Sequence, residues 1–198
     1  MKARKANIKR KTTETAIAVG INLDGSGKSD IKTPINFLNH MLTLFSRHGL
    51  FDLKVKAAGD IEVDMHHTNE DIGICLGQAI KKALTDKLGI RRFGFSSVPM
   101  DEALAEVSLD ISGRPFLKFR VQSSGFRAGG KEYSLNYLKQ FLQAAASNAG
   151  ITLHVEIVYG EDSHHIIEAV FKAFGRALKE AVTVDPRIRG ILSTKGIL

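Results

Sequence analysis

The chain has 198 residues and a formal charge of +7, with 43% hydrophobic and 25% charged residues. This composition is typical of a globular protein, and the lack of an apolar run of about 18 residues argues against a transmembrane helix. The single cysteine, Cys75, cannot form an intrachain disulfide, so we expect it to pack in the core of a cytoplasmic protein. The positive charge favours an anionic partner such as a phosphate ester, whereas no nucleic-acid-binding motif is found and neither a nucleic acid nor a membrane is expected as partner.

The first segment of the chain contains strand and helix patterns in a clear order. Residues 1–11 are strongly basic and are expected to form a solvated arm. Period-two alternation predicts a strand at 16–23, and a short strand is expected at 31–34. An amphipathic helix is predicted at 35–47, with Gly49 just beyond its end. A strand at 50–58 and a long helix at 64–88 follow.

The same order recurs in the second segment. Strands are predicted at 104–111 and 116–121, and a helix at 135–148 is expected to stop at Gly150. A strand at 151–159 precedes a long helix at 163–184, for which Ser163 is the expected N-cap.

Three blocks of sequence can be superposed in the same order, which indicates an internal duplication. HHTNEDIGICLGQAIKKAL aligns with HHIIEAVFKAFGRALKEAV, NFLNHML aligns with NYLKQFL, and ETAIAVGINLDG aligns with EALAEVSLDISG, which places Glu14 over Glu102. We therefore predict an α+β fold made of two β-β-α-β-α halves, 1–95 and 96–198, that form one compact domain with the helices in the middle.

Each half carries the pattern HHxxE at the start of its long helix. His66, His67 and Glu70 project from one arc of the helix surface, and the second half repeats the arrangement. Imidazole and carboxylate are ligands that Mn, Fe and Zn prefer. Adjacent histidines diverge by about 100° around a helix, which suits two ions better than one. A solvated histidine pair is the ordinary alternative, but four of the seven histidines lie in these two units, which favours metal binding.

Two further histidines break the duplication. His40 aligns with Gln140 and His154 aligns with Lys54, so each half adds one histidine of its own, while His48 is expected to be structural. Two metals with about four protein ligands each need eight ligands in all. The eight candidates are His40, His66, His67, Glu70, His154, His164, His165 and Glu168.

Several stretches of the chain resemble a known family. The stretches ETAIAVGINLDGSG, FLNHML, HHTNEDIGICLGQAI, RRFG, PMDEALAEVSLDISGRP, HHIIEAVFKAFGRAL and STKG are similar, in order and spacing, to imidazoleglycerol-phosphate dehydratase. This family of lyases acts in histidine biosynthesis and converts imidazole-glycerol phosphate into imidazole-acetol phosphate. The resemblance extends from about Arg10 to Gly196.

The resemblance implies more than the residue patterns do. It implies two mixed four-stranded sheets around the helices, two Mn²⁺ ions per site held by the eight candidates, and trimers that assemble into a 24-mer with sites at subunit interfaces. The implied catalytic residues are Glu14, His67, His165 and Glu168. The implied substrate-binding residues are Glu14, Arg92, Arg114, Lys172, Ser193 and Lys195. Asn39, Leu44 and Met65 depart from the commoner family pattern without removing a ligand.

Three other functions remain open at this level. A two-metal phosphohydrolase would also use paired metals and basic residues. A non-catalytic metal-storage or sensor protein would need the HHxxE sites alone. A nucleic-acid-binding module would show a steep salt dependence of its affinity.

Overall fold

The computed structural model describes residues 3–122 and 133–196, which form two sheets and four helices. The elements of the first half are β1 (Lys5–Lys11), β2 (Thr15–Asn22), β3 (Ser29–Lys32), α1 (Asn36–Gly49), β4 (Asp52–Gly59) and α2 (His66–Leu84). Those of the second half are β5 (Phe93–Met100), β6 (Ala103–Asp110), β7 (Phe116–Val121), α3 (Leu135–Ala149), β8 (Thr152–Tyr159) and α4 (Ser163–Val182). No helix in the described ranges is long and apolar enough to cross a membrane.

Both sheets have the same topology. The strand orders are β1-β2-β4-β3 and β5-β6-β8-β7, with the last strand of each order parallel to its neighbour and the others antiparallel. Each half thus contains the predicted β-β-α-β-α order and makes one mixed four-stranded sheet, which confirms the expected fold class. An additional strand, β1 or β5, precedes that order in each half.

The basic N-terminal segment is where the prediction was wrong. Residues 5–11 are not a solvated arm but the edge strand β1, which pairs with β2 from Lys5 opposite Asn22 to Lys11 opposite Ala16. Ala6 is buried and Ile8 packs against the core, while the alternating lysines point outward. Lysine is common on edge strands because it discourages pairing with other chains. The many basic residues of this segment concealed the period-two alternation of Ala6 and Ile8 in the sequence. The division at 95/96 stays a prediction, and it lies within β5, which pairs with β6 along its whole length.

The helices form the central layer. In the first half α2 packs on β1 and β2, and in the second half α4 packs on β5 and β6. Across the middle, α1 packs on α4 and α2 packs on α3, so both contacts join one half to the other. Cys75 is fully buried in this core, as expected. Burial raises the pKa of its thiol to about 11, which keeps the group neutral.

The two helix crossings repeat each other closely. A Cβ atom added to Gly175 would lie 2.6 Å from the carbonyl oxygen of Phe45, and one added to Gly77 would lie 2.4 Å from that of Ala145. Phe45 and Ala145 occupy equivalent positions of α1 and α3 in the sequence alignment. The duplication is therefore present in the packing, and Gln140 stands on α3 where His40 stands on α1.

Of the three predicted helix caps, one is confirmed and two are wrong. Gly150 has φ 68° and ends α3 as predicted. Gly49, by contrast, is the last residue of α1, and Leu50 takes the left-handed conformation with φ 55°. A side chain at Gly49 would clash with the Phe51 ring, so the glycine serves close packing. The N-cap of α4 is Asp162, whose carboxylate accepts the His164 N–H at 2.7 Å, and Ser163 is the first helical residue.

Candidate functional site

The packing of α1 on α4 brings three predicted metal ligands together. The Nε2 atoms of His40 and His164 each lie 3.3 Å from Oε2 of Glu168. The ligand atoms of all three residues lie within 4.8 Å of one another. Glu168 is buried, with 7% of its surface exposed, whereas both imidazoles are about half exposed. Two imidazole nitrogens and one carboxylate oxygen, open to solvent on one side, fit a divalent transition metal.

The His164 ring is held from the side by an aromatic stack. Its ring meets Phe37 edge-on at 5.0 Å, and Phe37 stacks on Tyr133 at 5.3 Å. The buried Tyr133 hydroxyl donates to Oδ1 of Asn69 at 2.8 Å, and the Asn69 amide donates to the Tyr137 carbonyl at 2.9 Å. Asn69 belongs to the HHTNED segment of α2. The HHTNED segment of α2 therefore helps to orient His164, which belongs to the HHxxE segment of α4.

Lys172 lies against the other oxygen of Glu168. Its Nζ is 2.6 Å from Oε1 and 3.3 Å from the Met100 sulfur. Burial raises the pKa of Glu168, but the Lys172 ammonium and the His40 imidazole outweigh this and leave the pKa below its ordinary value. The carboxylate is thus ionised, as a metal ligand must be. The predicted substrate residue Lys172 is therefore adjacent to the cluster.

The first half has a smaller counterpart of this cluster. His66 Nε2 lies 3.4 Å from Oε2 of Glu70, which matches the His164–Glu168 contact. The position equivalent to His40 is occupied by Gln140, whose Oε1 is buried without a hydrogen-bond partner among the described residues. The α2 motif thus places two candidate ligands together within the first half, whereas the α4 motif gains a third, His40, from α1 of the other half.

The second histidine of each pair contacts a glutamate from a β-hairpin. His67 Nδ1 lies 3.3 Å from Glu14 at the β1–β2 turn, and His165 Nδ1 lies 2.7 Å from Glu102 at the β5–β6 turn. Glu102 also accepts the backbone N–H groups of Asp162 and Glu161. These bonds lower the pKa of Glu102 to about 2, and Glu102 in turn raises the pKa of His165. The alignment of Glu14 with Glu102 contained this signal, but sequence reasoning gave Glu102 no role.

Four of the six predicted substrate residues line one open cleft of about 770 Å³. Its lining residues are Arg92, Arg114, Ile191, Leu192, Ser193, Thr194 and Lys195. Arg92 donates two hydrogen bonds to the Asp110 carboxylate, at 2.7 and 3.0 Å, and one to the Leu192 carbonyl at 2.8 Å. Arg114 lies 3.9 Å from the same carboxylate. Three cationic side chains against one carboxylate leave a positive cleft, which suits a phosphate group.

His154 lies apart from the helical clusters. It is exposed on the outer face of the second sheet, opposite Ser108, and its ring is 6.1 Å from that of Phe116. Asp110 lies two residues further along the neighbouring strand, so His154 and the basic cleft share one face of the sheet. A single chain therefore gathers three of the eight predicted ligands at one point, and the other five lie at three further places.

His48 and the three positions that depart from the commoner family pattern have structural surroundings. Burial and the nearby charges of Lys172 and Arg176 lower the pKa of His48, which favours its neutral form. The Asn39 side chain accepts the backbone N–H and the hydroxyl of Thr33, at 3.0 and 2.7 Å, and so braces the start of α1. Leu44 and Met65 are partly buried against the core.

The fold and these clusters define a duplicated α+β protein with histidine–glutamate clusters on its central helices, one of which could hold a metal ion, and with a basic cleft. The family model for imidazoleglycerol-phosphate dehydratase matches residues 33–178. The enzyme of that name from Acetivibrio thermocellus is 58% identical over 98% of this chain and 99% of its own length, and that from Geobacter metallireducens is 54% identical over 99% and 100%. The solved structure of the Staphylococcus aureus enzyme is 39% identical with a TM-score of 0.80, covering 91% of this chain and 99% of its own. That of the Pyrococcus furiosus enzyme is 37% identical with a TM-score of 0.81, covering 96% and 100%.

The chain belongs to the imidazoleglycerol-phosphate dehydratase family, which is a family of hydro-lyases of histidine biosynthesis. This confirms the resemblance found in the sequence and the assignment as an enzyme.

Proposed function

We propose that this chain catalyses the Mn²⁺-dependent loss of water from imidazole-glycerol phosphate, which yields imidazole-acetol phosphate. The observation that carries the proposal is the cluster of His40, His164 and Glu168, whose donor set suits a transition metal. The basic cleft supplies the second requirement, a place for the substrate phosphate. Membership of the family links these two features to one reaction.

The proposed metal site contains two Mn²⁺ ions held by the eight predicted ligands. His40, His164 and Glu168 would contribute to one ion within a single chain. The remaining five ligands lie elsewhere on the chain, so both ions would be completed by ligands from neighbouring subunits. The exposed position of His154 on the second sheet supports this arrangement. We accordingly propose trimers that assemble into a 24-mer, with active sites at the subunit interfaces.

The residues of the chain would divide the chemistry among them. When bound, Mn²⁺ would stabilise negative charge on the imidazole ring of the substrate. Arg92, Arg114, Ser193 and Lys195 would hold the phosphate and thereby fix the carbon chain. Lys172, beside Glu168, would reach the substrate near the metals.

Glu14 would act as the principal acid and base. Its carboxylate would remove the C–H proton from the carbon next to the one that carries the departing hydroxyl, and this proton and the hydroxyl would leave together as water. Glu14 would then help to move the O–H proton of the resulting enol to the carbon beside the ring, which gives the ketone. His67, which is 3.3 Å away, connects Glu14 to the proposed metal site. His67, His165 and Glu168 would contribute to catalysis as metal ligands that keep the ring in place.

The decisive experiment is a turnover assay with imidazole-glycerol phosphate on chelator-stripped protein, with and without added Mn²⁺. Formation of the keto product only with Mn²⁺ is the expected result. Release of inorganic phosphate instead would identify a phosphohydrolase. Stoichiometric Mn²⁺ binding without any product would contradict the dehydratase proposal and leave metal storage.

A further inference from the structure

The two β-hairpins beside the metal-ligand helices are attached to those helices in different ways. In the second half, Glu102 itself makes the attachment by accepting from His165 and from two backbone N–H groups at the start of α4. In the first half, Glu14 makes no such backbone contacts among the described residues. Its side chain is 56% exposed and lies near His67.

Asp71 provides the attachment in the first half. It is only 8% exposed, and its Oδ1 accepts from the Arg10 guanidinium at 2.7 Å. Its Oδ2 accepts from the hydroxyl of Thr15, which is buried. Arg10 is on β1 and Thr15 is on β2, so one carboxylate of α2 ties both strands of the hairpin. A buried carboxylate that accepts from a charged donor on one oxygen and from a neutral donor on the other is a rigid anchor.

The anchor continues into the turn that carries Glu14. The Thr12 hydroxyl lies 3.1 Å from the Thr15 hydroxyl, and it accepts the backbone N–H of Glu14 at 3.2 Å and of Thr15 at 2.9 Å. A chain of hydrogen bonds therefore runs from Asp71 through Thr15 and Thr12 to the backbone of Glu14. The backbone is fixed while the Glu14 carboxylate keeps its freedom.

The second half cannot use this anchor. In the alignment of the two long helices, Asp71 falls on Ala169, which has no polar side chain. The attachment there is made by Glu102, at the expense of the freedom of its own carboxylate. The two halves thus use different residues for one structural task.

We propose that Asp71 and Thr15 are positioning residues for Glu14, because they hold the β1–β2 turn so that the Glu14 carboxylate faces His67 while remaining free to transfer a proton. This inference rests on the proposed function, in which Glu14 is the acid and base.

A double-mutant cycle tests the inference on the full-length, Mn²⁺-loaded protein. Thr15→Val keeps the shape of the side chain but removes its hydroxyl, Thr15→Ser keeps the hydroxyl, and Glu14→Gln removes the base. We expect Thr15→Val to lower kcat roughly tenfold to a hundredfold, as misplacement by about 1 Å does, and Thr15→Ser to restore most of it. Mn²⁺ content should stay at the wild-type level in all three variants.

The decisive comparison is Thr15→Val in the Glu14→Gln background. If Thr15 acts through Glu14, it should lower kcat there by less than about twofold. An equal loss in both backgrounds, or near-full kcat in the single variant, would overturn the proposal. Thr183→Val is the matched control, since that hydroxyl bonds the Lys179 carbonyl at the far end of α4.

Two further arms keep the test conclusive. If Thr15→Val does not fold, Arg10→Gln removes the other bond to Asp71 from a side chain that is 40% exposed, and it should behave in the same way in the cycle. If wild-type protein forms no product, or Glu14→Gln keeps full kcat, the proposed function or the role of Glu14 fails. A neutral Thr15→Val in an active enzyme that needs Glu14 refutes the positioning role alone.

Discussion

The two glutamate–histidine pairs of the duplicated chain differ in how firmly the glutamate is held. Glu102 is held by three donors and its pKa falls to about 2, so it stays ionised and fixed near neutral pH. Glu14 faces His67 at the longer distance of 3.3 Å and is more exposed. A proton-transferring group needs freedom to change its charge, and a group that orients a ligand does not. The residue type, which is glutamate in both halves, did not distinguish the two proposed roles, namely proton transfer by Glu14 and orientation of His165 by Glu102.

Replacing Glu14 with glutamine should lower kcat by about a hundredfold or more, because general acid–base catalysis contributes about that much. The Mn²⁺ content should be unchanged, since the eight proposed ligands remain. Steady-state kinetics and metal analysis on the same preparation provide the check. Glu62→Gln, an exposed acid in the connection between β4 and α2, is the control and should leave kcat unchanged. A Glu14→Gln variant with near-full turnover would remove Glu14 from the mechanism.

At the level of elements, close approach of the helices places His40 beside α4. Gly175 of α4 lies against the backbone of α1, and Gly77 of α2 lies against the backbone of α3 in the same way. Only glycine permits this approach, because a methyl group at either position would meet a backbone oxygen. The small residue thus determines how near the two ligand-bearing helices can lie.

Gly175→Ala and Gly77→Ala should each destabilise the protein by about 1–3 kcal/mol, the usual cost of overpacking a core. This change in the free energy of unfolding is opposite in sign to that in an exposed helix, where replacing glycine with alanine stabilises by about 1 kcal/mol. Thermal unfolding midpoints measure the effect. Ser147→Ala, at an exposed position of α3, should change the midpoint little. A higher midpoint for Gly175→Ala would show that the helices can separate without cost.

The connection between β2 and β3 depends on one carboxylate. Asp52 accepts the backbone N–H groups of Ser26 and Lys28, at 2.8 and 3.2 Å, and the Asn22 amide at 3.2 Å. The bond from the Ser26 N–H is the main reason that the pKa of Asp52 lies below its usual value. A lowered pKa in the folded state means that the ionised carboxylate stabilises the fold above the unfolded pKa, which is about 3.9. That stabilisation is lost as the pH falls through the lower folded pKa.

Asp52→Asn should therefore unfold more easily than wild type at pH 7, by about 1 kcal/mol for the weakened hydrogen bonds. The difference should shrink as the pH falls from about 3.9 through the lower pKa of the folded protein, because the wild-type carboxylate is protonated over that range, first in the unfolded and then in the folded state. Urea midpoints of both proteins between pH 7 and pH 3 test this. A difference that stays constant over that range would show that the charge of Asp52 contributes nothing.

At the level of the whole molecule, the outer faces of the two sheets have diverged. The first sheet presents lysines around small residues, including Lys9, Lys56 and Ala18 in one row across the strands. The second presents Phe93, Phe95 and Phe116, each more than half exposed, around His154. Exposed aromatic residues grouped on one face are typical of protein interfaces. This face also carries the cleft with Arg92 and Arg114, which supports the proposed shared active sites.

Phe95→Lys should weaken the proposed assembly, because it replaces one of the exposed aromatic rings of this face with a charge. We expect smaller particles in light scattering, and fewer Mn²⁺ ions bound per chain because the interface ligands separate. Leu88→Lys is the control, since Leu88 is half exposed outside both sheets. If Phe95→Lys assembles and binds Mn²⁺ as wild type does, the second sheet does not form the interface.

Much of the fold could be predicted because it depends on local patterns. Helical and period-two spacing of apolar residues predicts the long helices and the central strands to within a few residues. The HHxxE motifs are visible in the sequence itself. The duplication could be recognised because the blocks kept their order, and it led to the α+β fold and the family. The basic edge strand was missed because its lysines conceal a short apolar alternation that matters only once β2 lies beside it.

The residue types and spacing therefore indicated the kind of chemistry, namely helix-borne imidazole and carboxylate groups that could bind a metal, together with basic residues that could bind an anion. Only the tertiary structure decided which of these groups meet. His40 joins His164 and Glu168 across more than a hundred residues, and Arg92 lines one cleft with Ser193 and Lys195, which are also more than a hundred residues away. The same holds for Asp71, which meets the β1–β2 hairpin, and for Glu102, which meets the start of α4, each across about sixty residues. Such contacts depend on how two sheets and four helices pack, and no local pattern encodes that.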